Sequence, residues 1–149
     1  MKKIVKHNGF TLLELMIGAT IFLFAFLGIL GSYLACIELS AVSKNASVAL
    51  HTAKMKLENI KNVPFSQIKA TYHNIVFTTP TLQGKGVSYV DDTDPTLLKI
   101  TVSFSWRQAN GRIIGEDSNL DGLLNIGEDK NGNGMLDSPV ELVTHIFQY

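Results

Sequence analysis

The sequence predicts an α+β chain, with one long N-terminal helix packed on a small antiparallel sheet. Three observations carry this. From Leu15 to Ile37 no residue bears a formal charge, a run long enough to cross a bilayer as one helix. Beyond it Val42, Ala46, Ala49, Leu50, Ala53, Leu57 and Ile60 recur at helical spacing, with Lys44, Lys54, Lys56, Glu58 and Lys61 on the other side. Further on, Leu98, Ile100, Val102, Phe104 and Trp106 alternate with Lys99, Thr101, Ser103, Ser105 and Arg107, the period of a strand. A helix with one apolar stripe and a sheet with one apolar face bury each other.

Taken in order, Met1 to Gly9 is short and basic, with Lys2, Lys3 and Lys6 and no apolar core. It lacks the layout of a secretory signal peptide. No lysine or arginine follows the apolar run until Lys44, which places the N-terminus in the cytoplasm and the C-terminus outside. Glu14 lies inside the apolar stretch, where an ionised carboxylate costs at least about 2.5–3.5 kcal/mol. A cationic partner at the same depth offsets that cost. A cut between Gly9 and Phe10 would create one, an α-amino group four residues before Glu14.

Gly9, Phe10, Thr11, Leu12 and Glu14, behind a basic leader, resemble the N-terminus of a type IV prepilin or a type II secretion pseudopilin. The resemblance implies a membrane prepilin peptidase that cuts after Gly9 and methylates Phe10. It implies assembly with other pilin or pseudopilin subunits by helix packing, with Phe10 and Glu14 as the assembly residues. Gly18, Gly28 and Gly31 suit close helix packing in lipid or a filament core. Many major pilins carry proline where Gly31 stands, so the resemblance points to a minor pilin or minor pseudopilin. The implied location is the inner membrane, with the head outside, and then the pilus or pseudopilus.

On this reading residues 1–9 are the leader, 10–41 the transmembrane and assembly helix, and 42–149 a globular head. The helix is expected from Phe10 to about Asn62, ended by Pro64. The roughly ninety residues that remain beyond the apolar run and its helical continuation are enough for one small domain with a modest core. Strands are expected over Ile75–Thr79, Gly86–Val90 and Val140–Phe147, besides the alternating segment at 98–107. Turns are expected at Gln83–Gly86 and Asp91–Pro95. Trp106 is expected in the core. The segment around it also resembles the small pseudopilins.

Between Ile114 and Val140 lies the one cluster with site chemistry. Residues 117–128 read DSNLDGLLNIGE and residues 129–140 read DKNGNGMLDSPV. Set at an offset of twelve, columns one, three, five, six and nine pair as Asp/Asp, Asn/Asn, Asp/Asn, Gly/Gly and Asn/Asp. Alternate oxygen side chains around a sharp glycine turn suit a hard cation with six or seven oxygen ligands, calcium above all. In the first loop the candidate ligands are Asp117, Asn119, Asp121, the Leu123 carbonyl, Asn125 and Glu128. In the second they are Asp129, Asn131, Asn133, the Met135 carbonyl and Asp137. Val140 occupies the column of the closing acid there, so Glu141 or a ligand shared with the first loop must substitute. The pattern resembles the calcium loop of EF-hands without their helix pair, and the expected role is structural.

Other functions are excluded by composition. Thirteen basic and thirteen acidic residues give no net charge, so nucleic acid is not an expected partner. Cys36 is the single cysteine and allows no internal disulfide. His7, His51, His73 and His145 are scattered, without a catalytic arrangement or a glycine-rich phosphate loop, so no enzyme is expected. The reading from a different class is a membrane-anchored, calcium-dependent adhesion module, which needs neither Gly9-Phe10 nor Glu14.

Overall fold

A computed structural model of the chain describes Gly9 and residues 11–148. The leader lysines and Phe10 lie outside the described residues. The chain divides into two compact units, Met1–Ala41 and Val42–Tyr149.

The first unit is helical from Leu12 onward, the start of α1, which runs Leu12–Lys61. Its apolar side chains, Leu15, Phe22, Phe24 and Ile29 among them, are exposed. The helix is long and apolar enough to cross a membrane, and none of its most apolar window is buried. Two hydroxyls in this stretch are satisfied within the helix: Thr20 donates to the Met16 carbonyl (2.8 Å) and Ser32 to that of Gly28 (3.0 Å). That leaves no side-chain hydroxyl of these two residues to be solvated by lipid.

In the second unit α1 continues to Lys61 and buries Ala49, Ala53, Leu57 and Ile60. A short helix follows, α2 (Phe65–Tyr72), with Pro64 as its N-cap residue. The sequence reading has no helix here, because eight residues with only Ile68 buried carry too few turns to show a period. Pro64 thus stands at the start of a second helix, after α1 has already stopped at Lys61. Five strands complete the unit: β1 (Ile75–Thr79), β2 (Leu82–Asp94), β3 (Leu97–Arg107), β4 (Ile113–Ile114) and β5 (Glu141–Phe147).

The sheet is antiparallel, in the order β1-β2-β3-β4, with β5 also paired to β3. The long strand β3 is its centre. One edge carries β2, and the other is shared by β4, opposite Trp106 and Arg107, and β5, opposite Leu97 to Ser103. The segment between β4 and β5 leaves and rejoins the same edge.

One sheet face, with Val90, Leu98, Ile100, Val102, Phe104 and Trp106, shares a core with Ala49, Ala53, Leu57, Ile60 and Ile68. Alanine at 49 and 53, fully buried, lets the helix lie close to the sheet. Trp106 is in this core, as its alternation suggests. The opposite face is not left to water. Thr101, Ser103 and Ser105 are buried too, and Val87 and Tyr89 join Leu136 in a second, smaller cluster flanked by Val76 and Met135.

The expected turn at Gln83–Gly86 is instead the interior of β2, and the β1–β2 turn falls at Pro80 and Thr81. The glycines there serve close approach. A Cβ on Gly86 would meet the Phe77 ring and stand 2.7 Å from Phe104 Cδ2, and these two rings pack with centroids 5.8 Å apart. The Asp91–Pro95 turn also begins later, since β2 continues to Asp94. Replacement Gly86→Ala is expected to lower stability by about 1–3 kcal/mol through overpacking, read as a lower thermal midpoint. An unchanged midpoint would mean that the rings yield freely.

Candidate functional site

Two features remain once the core is accounted for, the start of α1 and the segment from Gly115 to Val140. At the start of α1, Thr11 precedes the first helical residue and its Oγ1 accepts from the Glu14 amide (3.2 Å). This is the N-cap bond that satisfies one of the helix's unpaired N–H groups. Glu14 lies in the first turn, where its charge also favours the positive end of the helix dipole. Sequence reasoning missed this local role of Thr11, although Thr-x-x-Glu is its signature.

The Gly115–Val140 segment crosses the sheet face opposite α1. Leu136 packs with Val87 and Tyr89, its amide donates to Tyr89 Oη (2.8 Å) and its carbonyl accepts from Ser103 Oγ (2.6 Å). Gly122 lies against β1, where a Cβ would stand 2.5 Å from Val76 Cγ1. Of the apolar anchors the sequence offers here, Leu136 is buried, whereas Leu123, Leu124 and Ile126 are exposed.

The twelve-residue repeat is present in the backbone. Column four has positive φ in both loops, at Leu120 (φ 59) and Gly132 (φ 75), and so has column six, at Gly122 (φ 78) and Gly134 (φ 74). Column one binds forward alike. Asp117 accepts from the amides of Asp121 (3.1 Å) and Gly122 (2.9 Å), and Asp129 from those of Asn133 (3.1 Å) and Gly134 (2.8 Å). Column three accepts from the amide two residues on, Asn119 from Asp121 (2.9 Å) and Asn131 from Asn133 (3.0 Å). Column five does the same, Asp121 from Leu123 (2.7 Å) and Asn133 from Met135 (2.8 Å).

Within the first loop four expected ligand groups meet. The Asn119 and Asn125 amides both donate to Asp121 Oδ2 (2.8 and 3.1 Å), and Asn125 also to the Leu123 carbonyl (3.1 Å). In the second, Asn131 and Asn133 both donate to Asp137 Oδ2. Glu128 is 4% exposed. It accepts from the Ser118 amide (2.8 Å) and hydroxyl (2.6 Å) through Oε1, and from the Asn125 amide (3.0 Å) through Oε2. Val140, in the closing column of the second loop, is buried in the helix-side core, which explains why no acid stands there. Glu141 is exposed at the start of β5, opposite Ser103. Partial desolvation and the neighbouring Asp137 carboxylate raise its pKa. The residue that holds the second loop as Glu128 holds the first is Glu116, which sequence reasoning missed. The signal was there, since the offset of twelve also pairs Glu116 with Glu128.

Electrostatically the segment is one-sided. The ion pairs among the described residues, Lys61–Glu58 and Lys69–Asp92, lie elsewhere. Asp117 is 1% exposed, and burial raises its pKa against the donors of Gly122, Asp121 and Leu120, with Glu128 adding repulsion. Burial pushes Glu128 upward as well, but the donors of Ser118 and Asn125 outweigh it and the net shift is downward. Asp129 is lowered, chiefly by the Gly134 amide. Two buried carboxylates without a basic partner fit a site for a divalent cation. Among the described residues no three Asp, Glu, His or Cys side chains form a metal-binding group, so amide and carbonyl oxygens would supply much of the ligation. That donor set suits calcium rather than a transition metal.

Compared with known families, residues 5–30 match the prokaryotic N-terminal methylation motif. The chain carries the type IV pilin and pseudopilin signature at its N-terminus. The long helix on a small antiparallel sheet is a pilin-like arrangement. No curated protein and no solved structure matches the chain.

Truncation Leu136→Ala is expected to cost about 2–5 kcal/mol as a buried large-to-small change. The Gly115–Val140 segment should also become the first site of limited proteolysis, while far-ultraviolet circular dichroism of the sheet persists. Equal protease resistance of the two proteins would show that this side chain does not anchor the segment.

Proposed function

We propose that this chain is a minor structural subunit of a type IV pilus or a type II secretion pseudopilus. The observation that carries the reading is the methylation motif at residues 5–30, joined to a helix whose most apolar window is unburied among the described residues. Prepilin peptidase cuts after Gly9, and Phe10 becomes the methylated N-terminus. The subunit waits in the inner membrane as a single-pass protein with its head outside. It then enters the filament by packing its helix against those of other pilin or pseudopilin subunits. Glu14 neutralises the Phe10 amine of a neighbour, which sets axial register.

The N-terminal mass tests this. A methylated Phe10 at the start of the mature chain is expected, and an intact Met1 favours the anchored adhesion module instead. Replacement Glu14→Ala should leave cleavage intact but reduce incorporation into filaments severely. Incorporation at the parental level would remove the register role.

Calcium is proposed as a structural ligand of the tandem loops. Support comes from the buried carboxylates Asp117 and Glu128, which make no ion pair among the described residues, and from the paired loops. Asp117, Asn119, Asp121, the Leu123 carbonyl, Asn125 and Glu128 would hold one ion. Asp129, Asn131, Asn133, the Met135 carbonyl and Asp137 would hold a second, with Glu116 or Glu141 as the extra acid. Bound calcium supplies the positive charge that these oxygens lack. A ligand that binds only the folded state adds about 2.7 kcal/mol at a hundredfold excess over Kd. The full chain in detergent should therefore melt higher in millimolar calcium than in chelator, and magnesium should do less. Asp117→Ala should lose most of the gain. No shift in the wild-type melting temperature rejects the metal.

A further inference from the structure

The two repeats hold each other. Repeat one spans residues 116–127 and repeat two residues 128–139, each opening on a glutamate. Glu128, from repeat two, binds the amides of Ser118 and Asn125 in repeat one. Glu116, from repeat one, accepts from the amide of Lys130 (3.3 Å) through Oε1 and that of Asp137 (3.1 Å) through Oε2. Ser118 and Lys130 are the second columns of their loops, Asn125 and Asp137 the ninth. Each glutamate thus bridges the same two backbone positions of the other repeat. Glu116 is fixed further by its own amide, which donates to the Asp137 carbonyl (2.8 Å).

We propose that this exchange of glutamates makes the two loops a single cooperative unit, in which neither opens without the other. The coupling runs through covalent neighbours. Glu128 is bonded to Asp129, whose carboxylate anchors the amides of Gly132, Asn133 and Gly134. Glu116 is bonded to Asp117, which anchors those of Asp121 and Gly122. Consecutive Cα atoms are about 3.8 Å apart, so a loop that lets go of its own aspartate also displaces the glutamate that clamps the other loop. Hydrogen bonds to a charged acceptor are roughly twice as strong as neutral ones, and each clamp makes at least two. Each loop therefore carries the other's closing energy. The inference concerns the chain's own hydrogen bonds and is independent of the cation, so its test is run in chelator.

Amide hydrogen exchange on the full chain in detergent micelles reads the openings. The amides of Asp121 and Gly122 in one loop and of Gly132 and Gly134 in the other should give opening constants within about threefold, with a common denaturant dependence. A separation above about tenfold between the loops overturns the proposal. Variant Glu116→Gln removes an acceptor from the second loop alone. It should nevertheless speed exchange at Ser118 and Asn125 in the first loop at least about tenfold, with the β2 and β3 amides at wild-type rates. Acceleration confined to Lys130 and Asp137 overturns the proposal. Where the variant also loosens the sheet, the wild-type comparison of the two loops decides.

Discussion

From Ile100 to Trp106 strand β3 is dry on both faces, and the rest of the head is arranged to make that possible. Its apolar side chains share a core with α1, while on the reverse face Thr101 is buried and Ser103 and Ser105 meet the loop segment at Leu136 and Gly115. A buried hydroxyl is costly unless it is bonded. Ser103 finds the Leu136 carbonyl, and Ser88 of β2, on the helix side, finds the carbonyls of Tyr72 and Ile75. The second cover therefore has to carry backbone acceptors as well as an apolar plug. Leu136 provides both, through its side chain and its own peptide group.

That second cover is unlike the first. The helix covers by hydrophobic burial, with alanines set against large sheet side chains. The loops have few apolar contacts and are held by carboxylates that gather backbone N–H groups. Such bonds satisfy an oxygen but leave its charge in place. Asp117 shows the consequence, since several amide donors do not bring its pKa back to the ordinary range. Among the described residues the ion pairs lie away from these carboxylates.

Much of this was legible in the chain, and the gaps have physical causes. The apolar run, the amphipathic continuation and the β3 alternation are periodic signals that tertiary packing reinforces. The glycines of Gln83–Gly86 read as a turn because glycine most often marks one. Here they make room for the Phe77 and Phe104 rings, a contact between distant segments that composition cannot reveal. The helix α2 is too short to establish a period. In the loops the ligand-type columns are readable because columns one, three and five bond to amides two to five positions on, in both repeats. Glu116 shares the offset of twelve but falls one residue before a template that begins at Asp117, and its partners lie fourteen and twenty-one residues away. A local template looks for the closing acid after the second loop, where the chain has already turned inward at Val140 to rejoin β3.

The return of the segment to the edge it left has a consequence for its length. Strands β4 and β5 fix the two ends along one edge of β3, so the frame itself does not dictate how much chain lies between them. The exchanged glutamates do. Two repeats satisfy each other completely, whereas a third would bring a glutamate with no loop to close and a loop with no glutamate. Growth or loss of this insert is thereby counted in pairs, and the smallest piece that can be added or removed without orphaning a carboxylate is twenty-four residues long.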